Sequence, residues 1–320
     1  MDYSLCIHEI TKRFGTFVAV DRLSLNVRRG EVLGVLGPNG AGKTTTIRMV
    51  MGITMPDSGR LELLGASDPT KVKDRVGYLP EERGLYRKMT VEATLRYLGQ
   101  LKGLSGATLS QRIDEGLERL GLQGWKTRKV EALSKGMSQK IQFLATLLHK
   151  PEFVILDEPF SGLDPLNRDL LEKLIIELRR EGVTILFSTH QMETAEDLCD
   201  RIVLINKGRV LIEGSLADVK GRFATRTLIL ESVDDMRRAE HWPGVEQFEA
   251  SGGVARLTLT ERTDPQPLLS QAVSAFRLTR FELQRPNLQE IFVHLVGEDG
   301  TRDGPDAAPR SNLVRENAHA

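Results

Sequence analysis

The chain has 320 residues, of which 40% are hydrophobic and 28% charged, a composition typical of globular protein with room for about two domains. Its 44 Lys and Arg balance its 44 Asp and Glu, so no net positive field favours nucleic acid or an anionic membrane surface as a partner. Only two cysteines occur, Cys6 and Cys199, which excludes a disulfide scaffold and indicates a reducing compartment such as the cytoplasm.

The N-terminal residues MDYSLCIHEITKRFG carry charges where a secretion signal needs an apolar segment. No run of 18 apolar residues occurs in the sequence, so we expect that the protein does not cross a membrane by itself. A role in transport therefore requires a membrane-embedded partner.

Strand-like and helix-like segments alternate from residue 4 to about residue 222. They run as EVLGVLG and TTTIRMVMGI, then FVILDEP and PLNRDLLEKLIIELRREG, then VTILFSTH, QMETAEDLCD and RIVLIN. This alternation predicts βαβ units and a mainly parallel sheet, to which RLELLG and NKGRVLIEG add antiparallel strands. Between residues 90 and 132 the pattern is helical only, which predicts a helical insert.

After Phe223 the chain restarts with a new series of strand-like and helix-like segments. These are TRTLILE, DDMRRAEHW, GVEQFEA, VARLTLT, QPLLSQAVSAF, LTRFELQ and NLQEIFVHLVG. The series predicts a small ferredoxin-like α+β domain over residues 223–297, in which Asn287 and Glu290 form a capping box on the last helix. Residues 298–320 lack periodicity and are rich in Gly, Pro, Ala, Asp and Arg, so we expect a disordered tail.

A glycine-rich loop follows the strand EVLGVL and opens a helix. It matches G-x-x-x-x-G-K-[ST] and comprises Gly37, Pro38, Asn39, Gly40, Ala41, Gly42, Lys43, Thr44 and Thr45. In such a loop the backbone N–H groups and the helix N-terminus bind phosphate oxygens, Lys43 bridges the β- and γ-phosphates, and Thr44 offers its hydroxyl to Mg²⁺. The motif in this context predicts a nucleotide site.

The segment FVILDEP supplies the second half of that site. Its buried strand carries Asp157 and Glu158 to the sheet edge at which open α/β sheets bind ligands. We expect Asp157 to hold the Mg²⁺ shell and Glu158 to orient or deprotonate the attacking water.

The segment LSKGMSQK, residues 133–140, resembles the LSGGQ signature of ABC transporter nucleotide-binding subunits, with Lys135 and Met137 in place of Gly and Gln. The resemblance implies that Ser134 and Gly136 contact the γ-phosphate of ATP held by the P-loop of a second subunit. It also implies ATP and Mg²⁺ as cofactors. For Lys135, a contact with the facing phosphates and a solvated surface position both remain open.

Further motifs follow the order found in that family. The segment Ser161–Asp164 resembles the D-loop, whose Asp164 lies at the junction of two sites, and His190 resembles the switch histidine that contacts γ-phosphate. Phe14 occupies the position of the aromatic that stacks on adenine, although a core aromatic in an N-terminal strand is the other interpretation. Glu81 stands where the family has Gln; a carboxylate there also accepts from water and binds Mg²⁺.

The resemblance implies an α/β fold of the P-loop NTPase class. An ABC ATPase domain over residues 4–222 would contain a mainly parallel sheet, an antiparallel β subdomain and the helical insert at 90–132, followed by the ferredoxin-like domain. RPNLQEIFVHLVG resembles the end of a short C-terminal domain found on exporter ATPases that pair with separate permeases.

In function, the resemblance implies an ATPase at the cytoplasmic face of the membrane, peripheral to it, with Glu158, His190 and Lys43 as catalytic residues. It implies a homodimer, or a heterodimer with another ABC ATPase, that powers export through a separate multi-helix permease. The permease contacts the unknown substrate, and no nucleic acid is expected. The alternative is a soluble ABC ATPase acting on nucleic acid or ribosomes, which the single cassette and the lack of heptads between Lys43 and Ser134 disfavour.

Overall fold

The structure is a computed structural model that describes residues 2–82, 84–223, 227–260, 263–284 and 286–302, with side chains described as far as residue 297. Its strands are β1 (Tyr3–Phe14), β2 (Phe17–Arg28), β3 (Val32–Leu36), β4 (Ser58–Leu63), β5 (Val76–Leu79), β6 (Phe153–Asp157), β7 (Thr184–Thr189), β8 (Arg201–Asn206), β9 (Arg209–Ser215), β10 (Thr227–Ser232), β11 (Val245–Ser251), β12 (Val254–Leu259) and β13 (Leu278–Gln284). Its α-helices are α1 (Lys43–Val50), α2 (Val91–Leu101), α3 (Gly106–Arg119), α4 (Lys135–Leu147), α5 (Pro165–Arg180), α6 (Met192–Leu198), α7 (Leu216–Arg222), α8 (Pro265–Ala275) and α9 (Leu288–Arg302).

A six-stranded sheet in the order β5-β6-β7-β3-β8-β9 forms the centre of the first domain. The strands from β5 to β8 run parallel, and β9 pairs antiparallel with β8. All residues of β3, β6 and β7 are buried, as expected of apolar strands covered on both faces. Because the parallel strands end at one edge, the residues that follow β3, β5, β6 and β7 converge there.

Two hydrophobic clusters cover the two faces of this sheet. One joins a three-stranded antiparallel sheet, in the order β2-β1-β4, and α1 to the central strands, through residues such as Leu5, Leu23 and Ile47. The other joins helices α2 to α6 to the opposite face, through residues such as Leu95 and Ile175. The predicted parallel sheet, antiparallel subdomain and helical insert are therefore confirmed.

The C-terminal domain has a four-stranded antiparallel sheet in the order β11-β12-β10-β13. This order, with one helical connection after β10 and α8 before β13, is that of a ferredoxin-like fold. The first connection is a single 3₁₀ segment, Arg237–His241, rather than the α-helix expected from DDMRRAEHW. Trp242 stacks on Phe276 in the core beneath the sheet.

Helix α9 begins at the predicted capping box, because the N–H of Asn287 donates to Glu290 Oε2 at 3.1 Å and the N–H of Glu290 donates to Asn287 Oδ1 at 2.8 Å. The helix runs to Arg302, five residues beyond the expected boundary at 297. The first proline that would stop a helix here is Pro305. Of the predicted tail at residues 298–320, residues 298–302 belong to this helix, and residues 303–320 lie outside the described residues.

Helix α9 also attaches the C-terminal domain to the first domain. Leu288 and Ile291 are buried in the same cluster as Met192 and Ala195 of α6. The N–H of Leu288 donates to Glu196 Oε1 at 2.7 Å, and Glu196 Oε2 lies 2.6 Å from Lys220 Nζ of α7. The two domains are therefore joined by packing as well as by the chain. Among the described helices, none has the length and apolar character needed to span a bilayer.

Candidate active site

The glycine-rich loop between β3 and α1 takes a shape that requires glycine. Gly42 has φ of +106°, and a methyl group on it would lie 2.6 Å from the carbonyl oxygen of Ala19. Helix α1 begins at Lys43 with no acidic residue in its first turn. Its free backbone N–H groups and positive dipole end are therefore available to an anion.

The side chain of Lys43 is held over this loop by hydrogen bonds to the loop backbone. Its Nζ donates to the carbonyl oxygens of Gly37 at 2.7 Å and Pro38 at 3.2 Å, and only 6% of the residue is exposed. The same Nζ lies 3.7 Å from Glu158 Oε1. The lysine charge is thus positioned between the loop and the end of β6.

Asp157 ends β6 and is buried. Its Oδ1 accepts from the hydroxyls of Ser188 and Thr44, the latter at 3.5 Å, whereas its Oδ2 has no hydrogen-bond partner among the described residues. Burial raises the pKa of Asp157, partly offset by the hydrogen bonds from Ser188 and Thr44.

Glu158 follows in a strained left-handed conformation, with φ of +49°. Its N–H donates to the carbonyl of Ser188 at 3.1 Å. Its Oε1 lies 2.9 Å from His190 Nδ1, and its Oε2 accepts from Thr189 Oγ1 at 3.3 Å. The carboxylate is buried, while about half of the His190 side chain is exposed. Strain of this kind, held by a neighbouring strand, is typical of active sites.

Lys43, Thr44 and Glu158 line a cavity of about 270 Å³, whereas Asp157 and His190 are not among its lining residues. It is lined by Phe17, Ala19, Pro38, Asn39, Gly40, Ala41, Gly42, Lys43, Thr44, Thr45, Glu81 and Glu158. Glu81, which follows β5, is therefore on the same cavity as Glu158, as the position of the motif predicts. Both carboxylates and one lysine meet where the glycine-rich loop opens.

The aromatic side chain on this cavity is Phe17, and Phe14 does not line it. The two residues face each other across the turn between β1 and β2, and both are exposed. The Phe14 ring lies 5.7 Å from Lys12 Nζ. The sequence predicted Phe14 as the aromatic that stacks on adenine and did not predict Phe17. The hairpin pattern of RFGTF indicated Phe17 as well, because it places both rings on one face.

The signature segment lies apart from this cavity. Ser134 is the N-cap of α4, its Oγ accepting from the N–H of Met137 at 3.2 Å, and Asp164 is the N-cap of α5, accepting from the N–H of Asn167 at 3.0 Å. A methyl group on Gly136 would lie 3.0 Å from Asn167 Nδ2, so the two helix starts are adjacent. Ser134, Gly136 and Asp164 do not line the cavity at the glycine-rich loop.

Comparison with known proteins agrees with this arrangement. The family model described as "ABC transporter" matches residues 20–161, and that described as "ATP-binding protein DrrA1-3-like, C-terminal domain" matches residues 214–296. An uncharacterized ABC transporter ATP-binding protein of Bacillus subtilis (strain 168) is 40% identical over 293 residues, which cover 92% of this chain and 98% of the relative. The chain belongs to the ABC transporter ATP-binding family.

Two further similarities cover the same regions. Nod factor export ATP-binding protein I of Ralstonia nicotianae is 37% identical over 306 residues, covering 92% of this chain and 94% of that protein. A solved ATP-binding subunit of an ABC transporter is 33% identical, with a TM-score of 0.64, over 68% of this chain and 92% of that one. The protein is thus an ABC ATPase, the ATP-binding and ATP-hydrolysing subunit of a transporter.

The residues at the end of β6 are of the kind that bind Mg²⁺. A buried carboxylate oxygen without a partner is costly unless a cation or donor binds it, and Asp157 Oδ2 is such an atom, while Oδ1 of the same carboxylate accepts from the Thr44 hydroxyl. Mg²⁺ binds through one or two carboxylates together with phosphate and water oxygens. The described residues contain no cluster of three or more His, Cys, Asp or Glu suited to a metal ion.

Helix α4 ties the signature segment to two loops of the site. Gln139 Nε2 donates to the carbonyl of Pro159 at 3.0 Å, and Gln142 Nε2 donates to the carbonyl of Glu82 at 3.2 Å. The first loop leads from Glu158 to Asp164, and the second carries Glu81. Neither glutamine was predicted as a site residue from the sequence, because their burial shows only in the structure.

We predict that Asp157→Asn stabilises the nucleotide-free protein, by up to about 1–3 kcal/mol, because it removes a buried charge with an unpartnered oxygen. Since burial raises the pKa of Asp157, the folded state binds more protons than the unfolded state, and wild-type stability falls as pH rises through that pKa. The Asn side chain does not titrate, so the stability of the variant lacks the pH dependence that comes from Asp157. Urea unfolding at several pH values without nucleotide measures it.

A second measurement compares the free energy of unfolding in ATP with and without Mg²⁺. The stabilisation that Mg²⁺ adds should be lost in Asp157→Asn. The control is Thr70→Val, which removes an exposed hydrogen bond to Asp68 at a position distant in sequence from Asp157. An Asn variant that is less stable than wild type at every pH contradicts the destabilisation assigned to burial of the Asp157 carboxylate.

Proposed function

We propose that two copies of this chain, or this chain and a related ABC ATPase, bind two ATP molecules between them and power export through a separate permease. The observation that carries the proposal is the separation of two half-sites on one chain. The cavity at Lys43 has the phosphate loop but lacks Ser134 and Gly136, which lie at the start of α4, Ser134 exposed and Gly136 half-buried. A second subunit that presents its α4 N-terminus to the loop completes each site.

In the completed site, Gly40, Gly42 and Lys43 bind the phosphates, and Lys43 exchanges its contact with Glu158 for phosphate oxygens. Ser134 and Gly136 of the second subunit add hydroxyl and backbone N–H donors to the γ-phosphate, and Asp164 lies at the junction. The adenine stacks on an aromatic of the β1–β2 turn, either Phe14 or Phe17. Pro38, Asn39, Ala41 and Thr45 complete the loop and the first turn of α1.

Hydrolysis follows from the placement of Glu158. A water bound between this carboxylate and the γ-phosphorus loses a proton to Glu158 while its oxygen bonds to phosphorus, and the bond to the β,γ-bridging oxygen breaks to release ADP. His190, 2.9 Å from Glu158, orients the carboxylate and contacts the γ-phosphate. Asp157 and Thr44, with Glu81 at the rim, would hold Mg²⁺, which neutralises phosphate charge.

Binding energy then drives motion. ATP binds the closed dimer better than the open one, so it favours closure, and hydrolysis removes the γ-phosphate contacts that hold the dimer shut. The loops at Glu82 and Pro159 move together with α4 because Gln142 and Gln139 hydrogen-bond to their backbone carbonyls. Closure therefore moves the segment from Glu81 to Leu104, which we assign as the surface that contacts the permease.

That surface carries exposed apolar side chains. Tyr86, Tyr97 and Leu101 are 45%, 40% and 64% exposed, and the rings of Tyr86 and Tyr97 meet edge to face with centroids 5.3 Å apart. Exposed aromatic clusters of this kind mark protein interfaces. Together with the similarity to a Nod factor export protein, they support a place on the cytoplasmic face of the membrane beside a multi-helix permease, which itself contacts the substrate.

We predict that Glu158→Gln lowers kcat for ATP by about 10²–10⁴-fold, because the amide cannot take the proton, while ATP binding and the ATP-dependent dimer persist. Lys43→Ala, the matched variant on the other side of the same ion pair, should lose ATP affinity and the dimer together. Steady-state phosphate release and size exclusion in ATP measure both. Wild-type turnover by Glu158→Gln refutes the assignment of the base.

We also predict that tagged Glu158→Gln, extracted from host membranes with mild detergent in ATP and Mg²⁺, co-purifies with a multi-helix membrane protein in comparable amount. Adding Tyr97→Ala should reduce the recovered permease several-fold while leaving the ATP-dependent dimer intact, because Tyr97 lies on α2 away from the cavity. Val273→Ala, at an exposed apolar position of the C-terminal domain, is the control. Recovery of ribosomal or DNA-associated proteins without a membrane protein contradicts the transporter role.

A further inference from the structure

A second cavity, of about 560 Å³, lies in the C-terminal part of the chain, between the outer face of its sheet and helix α9. It is twice the volume of the cavity at the glycine-rich loop and falls within the roughly 300–1,000 Å³ of small-molecule sites. None of the residues assigned to ATP lines it. The proposed function leaves this cavity without a role.

The floor of the cavity is a row of polar side chains that crosses all four strands. Gln247 of β11 is opposite Thr258 of β12, Thr258 is opposite Thr227 of β10, and Thr227 is opposite Gln284 of β13. Lateral neighbours in a sheet share a face, so the two amides and two hydroxyls point into one space. Their side chains make no hydrogen bond to another described residue.

Charged groups border this row. Arg256 of β12 and Glu249 of β11 are opposite each other in the next row, yet they form no ion pair with each other or with another described residue. Arg222, at the end of α7, faces the cavity from the first domain and is likewise unpaired among the described residues. Two guanidinium groups and one carboxylate are therefore available to a ligand.

Phe223 and Ile291 supply an apolar wall. Ile291 is buried, and the Phe223 ring meets the His294 ring edge to face with centroids 5.7 Å apart. Amides, hydroxyls, a carboxylate and arginines around a partly aromatic cavity match the groups of a sugar that carries an anion: hydroxyls that both donate and accept, C–H faces, and a phosphate that binds arginine bidentately.

We propose that this cavity binds a phosphorylated sugar, either a free sugar phosphate or the ribose phosphate of a nucleotide, and that the ATPase senses its occupancy. The hydroxyls bind the row from Gln247 to Gln284 and Glu249, and the phosphate binds Arg222 and Arg256. Glu290 also lines the cavity, but its carboxylate already accepts from the N–H of Asn287.

The route to the ATP site runs through α9. Glu290 on one side of this helix lines the cavity. At the start of the helix, the N–H of Leu288 donates a hydrogen bond to Glu196 of α6. Helix α6 begins at Met192, two residues after His190, which contacts Glu158. A ligand that pulls α9 toward the sheet shifts α6 and the position of His190. This coupling, unlike the binding, rests on the proposed role of His190 and Glu158.

The binding test uses the full chain with Lys43→Ala, which removes nucleotide affinity at the glycine-rich loop, and calorimetric titration with glucose 6-phosphate, AMP, glucose and inorganic phosphate. Glucose 6-phosphate or AMP should bind at least tenfold more tightly than glucose or phosphate alone, and which of the two binds identifies the source. Arg256→Gln and the isosteric Thr258→Val should each weaken binding by about tenfold.

Arg280→Gln on β13, whose side chain pairs with Glu282 outside the cavity, should leave binding unchanged and serves as the matched control. Thermal unfolding of all variants checks that the domain is folded. Absence of binding by both glucose 6-phosphate and AMP at millimolar concentration, or equal binding by Arg256→Gln, Thr258→Val and the control, overturns the site.

With Lys43 intact, the bound compound should change the rate of ATP hydrolysis at least twofold, an effect that Thr258→Val loses and Arg280→Gln keeps. Binding without any change in rate overturns the coupling through α9. Because the titration does not depend on ATP hydrolysis, failure of the site and failure of the proposed function give different results.

Discussion

The chemistry of the first domain depends on the pair of buried carboxylates at the end of β6. Asp157 and Glu158 are brought to the sheet edge by a fully buried strand, and neither charge is stable there alone. Lys43 lies 3.7 Å from Glu158, and hydroxyls of Ser188 and Thr44 bond Asp157. The glycine-rich loop, the β7 edge and the carboxylates therefore form one electrostatic unit that a phosphate and a cation can complete.

In the proposed dimer, helix α4 extends this unit toward the second subunit. Its N-terminus carries Ser134, and its buried glutamines hold the loops that begin at Glu82 and Pro159. The side chain of Lys135 lies against Gly162, whose φ is +68°, so the signature segment and the segment before Asp164 also touch directly. A ligand bound at the start of α4 thus acts on both edges of the Lys43 cavity, which is the coupling that an ATP-driven dimer needs.

Much of this could be predicted from the sequence because buried strands and glycine-rich loops have strong local signals. The convergence of Lys43, Asp157 and Glu158 followed from strand ends at one sheet edge. Phe17, which lines the cavity, was missed because the family position points to Phe14, its direct partner across the hairpin. The 3₁₀ connection at Arg237–His241 depends on tertiary packing, which local sequence patterns do not encode. The roles of the site residues stay predictions.

The claim that each ATP site is shared by two subunits is tested most directly by complementation. Lys43→Ala removes the loop lysine from both sites of a homodimer, and Ser134→Arg blocks both signature segments. The account predicts that each variant alone hydrolyses ATP at a small fraction of the wild-type rate. Mixing the two should restore activity, because the heterodimer keeps one site with an intact Lys43 and an intact Ser134. A mixture no more active than the separate variants would contradict shared sites.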